Sequence, residues 1–189
     1  MKTKFIKIFL FLTITILLTN CATQRTSNIV GGEYNETKNV TDYFVLPYGS
    51  VILPGKWNKT NYNKISRQQF FKNNDSVSIA IAFERFDNYE FNDDGSKKGY
   101  EFVKEFYNWD SNYFVERYGM NRQLLESDST NSFILYRIYG LIENSNFDTY
   151  FLVGEKNGNT SNFSISITDK WTKNKKIDFL KKIFITEEE

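Results

Sequence analysis

The spacing of large apolar residues predicts a chain made mostly of short strands. The clearest strand covers residues 76–86, where Val77, Ile79, Ile81 and Phe83 alternate with small or polar side chains. A period of two places the large residues on one face of a sheet. Similar runs, bounded by turn residues, predict further strands at 41–46, 51–53, 65–71, 122–127, 132–142, 149–153 and 162–168.

Two segments have the period of a helix instead. In residues 98–118, Phe102, Phe106, Trp109 and Tyr113 recur every three or four positions, and Gly119 is placed to end the helix. Residues 172–185 have an apolar stripe and several lysines on the other sides. The apolar stripe of a helix usually packs on a sheet. Packing is therefore the first explanation for these aromatic residues, and a ligand groove is the second.

The order of elements predicts a single α+β domain over residues 40–189, without internal repeats. The segments 132–142 and 149–153 are apolar on both faces, which indicates central strands covered on both sides. We therefore predict one antiparallel sheet flanked by helices on both faces. A lipocalin-like barrel with a terminal helix is the alternative, but the helix from residue 98 would interrupt it.

This layout resembles the PsbP-like α/β/α sandwich proteins. The resemblance covers residues 43–185 and rests on the turn Leu53-Pro54-Gly55-Lys56-Trp57, the long middle helix, the strand meander and the closing helix with Phe179-Leu180. It implies a protein that binds other proteins and has no shared catalytic residues. No functional residue is carried over from it.

The first residues have the pattern of a secretory signal peptide. Lys2, Lys4 and Lys7 precede an apolar run at 8–18, which is shorter than the roughly 20 residues that a membrane-spanning helix needs. The run ends in Leu18-Thr19-Asn20-Cys21, which resembles the lipobox of bacterial lipoproteins. We therefore expect residues 1–20 to be removed and Cys21 to be lipidated. The alternative is an ordinary cleaved signal and a free thiol at Cys21.

A lipid on Cys21 would anchor the protein in the bacterial cell envelope. Neither an Asp nor an acidic export tract follows Cys21, which favours the outer membrane, facing the periplasm; a Gram-positive cell surface is the alternative. Residues 21–39 are rich in Thr, Asn and Gly and predict a flexible tether.

The balance of charges argues against a nucleic-acid partner. Once Lys2, Lys4 and Lys7 are removed, 21 basic residues face 23 acidic ones, a net charge of −2. A protein that binds nucleic acid is expected to have a clearly basic face. The lysines between 170 and 182 form a local basic cluster, which a solvated helix face explains and which acidic lipids or an acidic partner would also fit.

The missing residue types exclude several chemistries. The chain has no histidine, and its one cysteine is Cys21. Imidazole bases, thiolate nucleophiles and zinc-thiolate sites are therefore not expected. Catalysis by paired carboxylates stays open, as does a Ser-Lys hydrolase, although no pair is selected by the sequence.

One loop has the spacing of a calcium site. Glu90, Asn92 and Asp94 occupy ligand positions one, three and five of such a loop, and Glu101 the twelfth. Glu at the first position and Lys98 at an oxygen-ligand position depart from the pattern, and an ordinary exposed turn has the same composition. Calcium is thus the one cofactor that the sequence suggests.

Trp57 and Trp109 are the candidate ligand-facing aromatics, although such rings more often cap a core. Together these features predict a non-catalytic envelope lipoprotein that binds a protein partner. A carboxylate-dependent hydrolase and a carrier of a small ligand are the alternatives.

Overall fold

The computed structural model describes residues 28–186. This part of the chain forms eleven strands and two α-helices. The strands are β1 (Ile29–Gly31), β2 (Tyr34–Asn35), β3 (Val40–Leu46), β4 (Gly49–Pro54), β5 (Trp57–Asn63), β6 (Gln68–Asn73), β7 (Ser78–Arg85), β8 (Asn121–Asp128), β9 (Phe133–Ile142), β10 (Ser145–Lys156) and β11 (Asn159–Ile165). The helices are α1 (Gly99–Tyr118) and α2 (Lys173–Ile185).

Seven strands form the large sheet, in the order β5-β6-β7-β11-β10-β9-β8. All of its neighbouring strands are antiparallel. The long apolar strands β10 and β9 lie inside this sheet, between β11 and the edge strand β8. At least half of the residues in each are buried, as their two apolar faces predict. Strands β5 and β8 form its edges and are largely exposed, in agreement with their polar composition.

The remaining four strands form a separate small sheet. Its central strand β3 pairs with β4 along one edge and with β1 and β2 along the other. Part of the predicted tether, residues 21–39, is therefore folded, because its backbone completes the edge of β3. The side chains of Ile29 and Val30 stay exposed there, so backbone pairing and not burial places this segment. Residues 21–27 lie outside the described residues.

The two faces of the large sheet carry different layers. Helix α1 packs on β8, β9 and β10 and closes an apolar core around Phe102, Phe106 and Tyr136. The opposite face is covered by the small sheet and α2 together, with Tyr43, Leu53 and Leu180 among the residues of this second core. The layers are therefore α1, the large sheet, and a mixed layer of small sheet and α2.

The prediction of one antiparallel sheet flanked by helices on both faces is wrong. The structure has two sheets, of four and seven strands. More of its residues lie in strands than in helices. The alternation in 41–46 and 51–53 correctly indicated strands, but it does not specify their partners. These strands pair with each other and turn one apolar face onto the large sheet, taking space that the prediction gave to a helix.

Both predicted helices are confirmed, and their ends have local causes. Gly119 adopts the left-handed conformation, with φ of 63°, and its N–H caps the carbonyl groups of Phe114 and Val115. At the other end of α1, the Glu155 carboxylate accepts a hydrogen bond from the Gly99 N–H, where a negative charge complements the helix dipole. Within residues 28–186, no helix has both the length and the hydropathy required to cross a membrane.

Candidate functional site

Helix α1 covers only part of its face of the large sheet, and a cleft lies beside it. A helix with its side chains is about 10–12 Å wide, whereas seven strands spaced by about 4.8 Å span roughly 30 Å. The uncovered part lies on β7 and β11, where small or polar residues face each other: Ala80 opposite Ser164, and Ala82 opposite Asn162. Their small volume leaves the floor of the cleft open.

The cleft lies between α1 and the β5–β6 hairpin and has a volume of about 670 Å³. This volume is typical of pockets that hold small ligands. The hairpin contributes Asn63, Ile65, Ser66, Arg67 and Gln68; the sheet and the loop after β7 contribute Ala82, Glu84, Asn88, Tyr89, Phe151 and Asn162; and α1 contributes Phe106, Trp109, Asp110, Tyr113 and Phe114.

Aromatic rings form the wall on the side of α1. Tyr89 packs against Phe106 and Trp109, with ring centroids 5.1 Å and 5.9 Å away. The indole N–H of Trp109 donates a hydrogen bond to Glu90 at 2.6 Å, which fixes the orientation of the ring. Trp109 is 38% exposed and Tyr113 is 51% exposed, so both present apolar surface to a molecule in the cleft.

Glu84 is the acidic residue on the floor, and its charge is compensated. It is only 7% exposed. One carboxylate oxygen accepts a hydrogen bond from the guanidinium of Arg67 on the hairpin, and the other accepts one from the Asn88 side chain. Because the Arg67 side chain is 58% exposed, water screens this ion pair and its contribution to stability is modest.

Asp110 is the second acidic residue of the cleft, and its environment differs. Burial raises the pKa of Asp110 to about 6, although a hydrogen bond from the Tyr136 hydroxyl, 2.6 Å long, works in the opposite direction. The pKa of Tyr136 is raised in turn, first by burial and then by the charge of Asp110. Asp110 therefore changes its charge close to neutral pH.

Asn162 adds a polar atom to the floor. Its side-chain Oδ1 is buried and accepts no hydrogen bond from any residue in the described part of the chain. A buried acceptor without a donor is unfavourable, and such groups are usually satisfied by water or a ligand.

The predicted aromatic residues lie in two different places. Trp109 lines the cleft, as a ligand-facing residue would. Trp57 is 4% exposed and contacts Trp171 and Phe179, with ring centroids 6.0 Å and 5.5 Å away. These three rings border a smaller pocket of about 340 Å³ between the β4–β5 turn and α2. Trp57 thus caps a core, with its indole N–H bonded to the Pro54 carbonyl at 2.9 Å.

Three of the four predicted calcium ligands make hydrogen bonds within the protein. Asn92 is fully buried and its amide bonds to Phe86 and Lys97, while Asp94 accepts the Ser96 N–H at 3.0 Å. Glu90 holds Trp109, and Glu101 is exposed on the first turn of α1. Across residues 28–186 no group of three or more acidic or cysteine side chains is placed to hold a metal ion. The assignment of calcium stays a prediction.

Sequence reasoning missed the polar residues of the cleft: Arg67, Glu84, Asp110 and Asn162. Glu84 continues the small-residue face of β7, which was a usable signal, because a carboxylate on that face must meet either a partner or a cleft. Asp110 lies next to Trp109 in an exposed-looking part of the helix, and nothing in its neighbours indicates burial. The lipidation site, Cys21, lies outside the described residues.

No family model matches the chain, and no curated protein matches it. Among solved structures, the solution structure of cyanobacterial PsbP (CyanoP) from Synechocystis sp. PCC 6803 is similar to this fold. The TM-score is 0.42 at 9% sequence identity, over 89% of this chain and 94% of that chain. The resemblance to PsbP-like proteins is thereby supported as a weak match. Any inference about ligands depends on the residues of the cleft itself.

Proposed function

We propose that this protein is a lipid-anchored binding module of the bacterial cell envelope, which holds its ligand in the cleft between α1 and the β5–β6 hairpin without transforming it. The observation that carries the proposal is the combination of a cleft of about 670 Å³ with an aromatic wall and a polar floor. Apolar walls with a few polar groups are the usual composition of ligand pockets.

The polar groups of the cleft favour binding over catalysis. Glu84 is held by Arg67 and Asn88, which leaves it poorly placed to act as a nucleophile or a base. The chain also has no histidine to serve as a second proton carrier beside Asp110. The bound group is either a small molecule or a side chain of a protein partner that inserts into the cleft.

Affinity capture from native membranes tests this proposal. The full-length protein is purified in mild detergent, and the proteins and small molecules that co-purify are identified by mass spectrometry. Ala82→Leu places a larger side chain on the floor of the cleft, and Ser145→Leu, an exposed position outside the cleft, is the matched control. We expect a ligand that Ala82→Leu loses and Ser145→Leu retains.

Circular dichroism of both variants checks that they fold. Equal recovery of every co-purifying species from a folded Ala82→Leu variant would contradict the proposal. So would the absence of any co-purifying species from the unmodified protein.

One observation favours a second candidate, a carboxylate-dependent hydrolase. Glu84 and Asp110 line the same cleft, and the pKa of Asp110 is raised to about 6 by burial while Glu84 forms an ion pair. Two carboxyl groups in contrasting environments are the arrangement of glycosidases. Turnover of a chromogenic glycoside that Asp110→Asn and Glu84→Gln each abolish would replace the binding proposal with this one.

A further inference from the structure

The charged groups of the cleft leave one negative charge without a partner. Arg67 and Glu84 neutralise each other across the floor. In the described part of the chain, Asp110 forms no ion pair with a lysine or arginine. Its one hydrogen-bond donor is the neutral Tyr136 hydroxyl, which bonds to Oδ2 at 2.6 Å. The ionised cleft therefore has a net negative charge, located on Asp110.

Within the described part of the chain, two acceptor atoms of the cleft lack a hydrogen-bond donor. The Oδ1 atom of Asp110 accepts no hydrogen bond from the described residues, and neither does the buried Oδ1 of Asn162. A ligand that satisfies both atoms must bring hydrogen-bond donors. A carboxylate or phosphate brings acceptors instead and would be repelled by Asp110.

The wall of the cleft favours a cation as well. Trp109, Tyr113 and Phe114 lie within one turn of Asp110 on α1, and all three line the cleft. The faces of aromatic rings attract ammonium groups, most strongly where water is excluded. Arg117 already lies near the Tyr113 ring, 6.0 Å from its centroid, so this ring accepts a cation in the protein itself.

We propose, on the basis that the cleft is the binding site, that its ligand is an organic amine: a protonated ammonium group on an apolar body. The ammonium group donates hydrogen bonds to Asp110 and Asn162 and neutralises the charge of Asp110. The apolar body lies against Trp109 and Tyr113. Anionic and neutral compounds of the same size lack the matching charge and bind more weakly.

Three probes of similar size and different charge test the inference. Phenethylamine is cationic, phenethyl alcohol is neutral and 3-phenylpropionate is anionic, and all carry the same ring. Their affinities for the mature protein with Cys21→Ser are measured at pH 7.5 by NMR chemical-shift titration. We expect the amine to bind at least about tenfold more tightly than the alcohol, because a charge pair in a partly buried cleft is worth about 1.4 kcal/mol or more.

Two variants assign this preference to Asp110. Asp110→Asn keeps the shape of the side chain and removes its charge, and we expect it to lose most of the preference for the amine. Glu116→Gln removes an exposed charge from the same helix and is the matched control, with the preference unchanged.

The pH dependence gives an independent measurement. The groups around Asp110 are Tyr136 on β9, Tyr89 after β7, Tyr113 on α1, and the pair Arg67 and Glu84 across the cleft. With a pKa of about 6 for Asp110, only about one-tenth of this carboxyl is ionised at pH 5. Affinity for phenethylamine is expected to fall about tenfold between pH 7.5 and pH 5.

The outcomes separate this inference from the proposed function. Binding of the alcohol or the propionate in the cleft as tightly as the amine would overturn the amine inference and leave the cleft as a binding site. An amine preference that Asp110→Asn retains would also overturn it. If none of the probes shifts the resonances of the cleft residues, the amine inference is wrong, and the capture experiment with Ala82→Leu then decides whether the cleft binds any ligand.

Discussion

Replacing Asp110 by asparagine is expected to stabilise the protein at neutral pH. The pKa of Asp110 is raised from its ordinary value of 3.8 to about 6 by burial. At about 1.36 kcal/mol for each pH unit, ionising this carboxyl in the folded protein costs about 3 kcal/mol more than in the unfolded chain. Solvent that reaches the partly exposed residue reduces this figure, so we expect a gain of about 1–3 kcal/mol for Asp110→Asn at pH 7.5.

The sign of the effect depends on pH. Because the folded pKa of Asp110 is higher than the unfolded one, the folded protein binds the proton more tightly. The resulting stabilisation is present below about pH 4 and is lost as the pH rises through about 6. Asparagine is always neutral and keeps an oxygen that accepts the Tyr136 hydroxyl. The variant and the unmodified protein are therefore expected to have similar stability at pH 4.

Urea unfolding at pH 4 and pH 7.5, followed by circular dichroism, measures this difference. Glu116→Gln, at an exposed position on the same helix, serves as the control and is expected to change the free energy of unfolding by less than about 0.5 kcal/mol. Equal destabilisation by Asp110→Asn at both pH values would refute the reasoning. A residue that weakens the fold at neutral pH is expected where binding matters more than stability.

Three further predictions follow from the structure. Tyr136→Phe removes the hydrogen bond that lowers the pKa of Asp110. The pKa of Asp110 is therefore expected to rise above 6 in a carbon-detected NMR titration, and an unchanged value would contradict the effect assigned to this hydrogen bond. Leu180→Ala is expected to lower the free energy of unfolding, measured in urea, by about 2–5 kcal/mol, because Leu180 is fully buried between α2 and the large sheet. Ile185 is 44% exposed, and Ile185→Ala is expected to have a small effect. Cys21→Ser is expected to move the protein from the membrane fraction to the soluble fraction of a cell lysate, and retention in the membrane would exclude a lipid anchor at this residue.

Local patterns in the sequence predicted most of the elements. The alternation around Ile79 and Ile81 predicted β7, which forms part of the floor of the cleft, and the aromatic stripe predicted α1, which forms one of its walls. Strand β5 was missed because it is an edge strand with a polar sequence and one buried residue, Trp57, so it has no apolar alternation to detect. Ile65 was predicted to begin a strand, but it lies in the turn before β6 and is 96% exposed.

The arrangement of the strands could not be predicted in the same way. Strands β3 and β4 have the same kind of alternation as strands of the large sheet, and only long-range pairing separates them into a second sheet. The cleft depends on this arrangement too. Glu84 and Arg67 are far from Asp110 in the sequence. The three line the same cleft because the β5–β6 hairpin faces α1 across β7 and β11.

Site-specific photocrosslinking in intact cells tests most directly whether the cleft is the recognition site. A photoreactive phenylalanine replaces Tyr113, which lines the cleft and is 51% exposed. The same residue replaces Tyr62 as the control, a position of similar exposure, 53%, on strand β5 outside the cleft lining. A discrete adduct at position 113 and none at position 62 is the predicted result. No adduct at position 113, or the same adducts at both positions, would contradict a ligand held in the cleft.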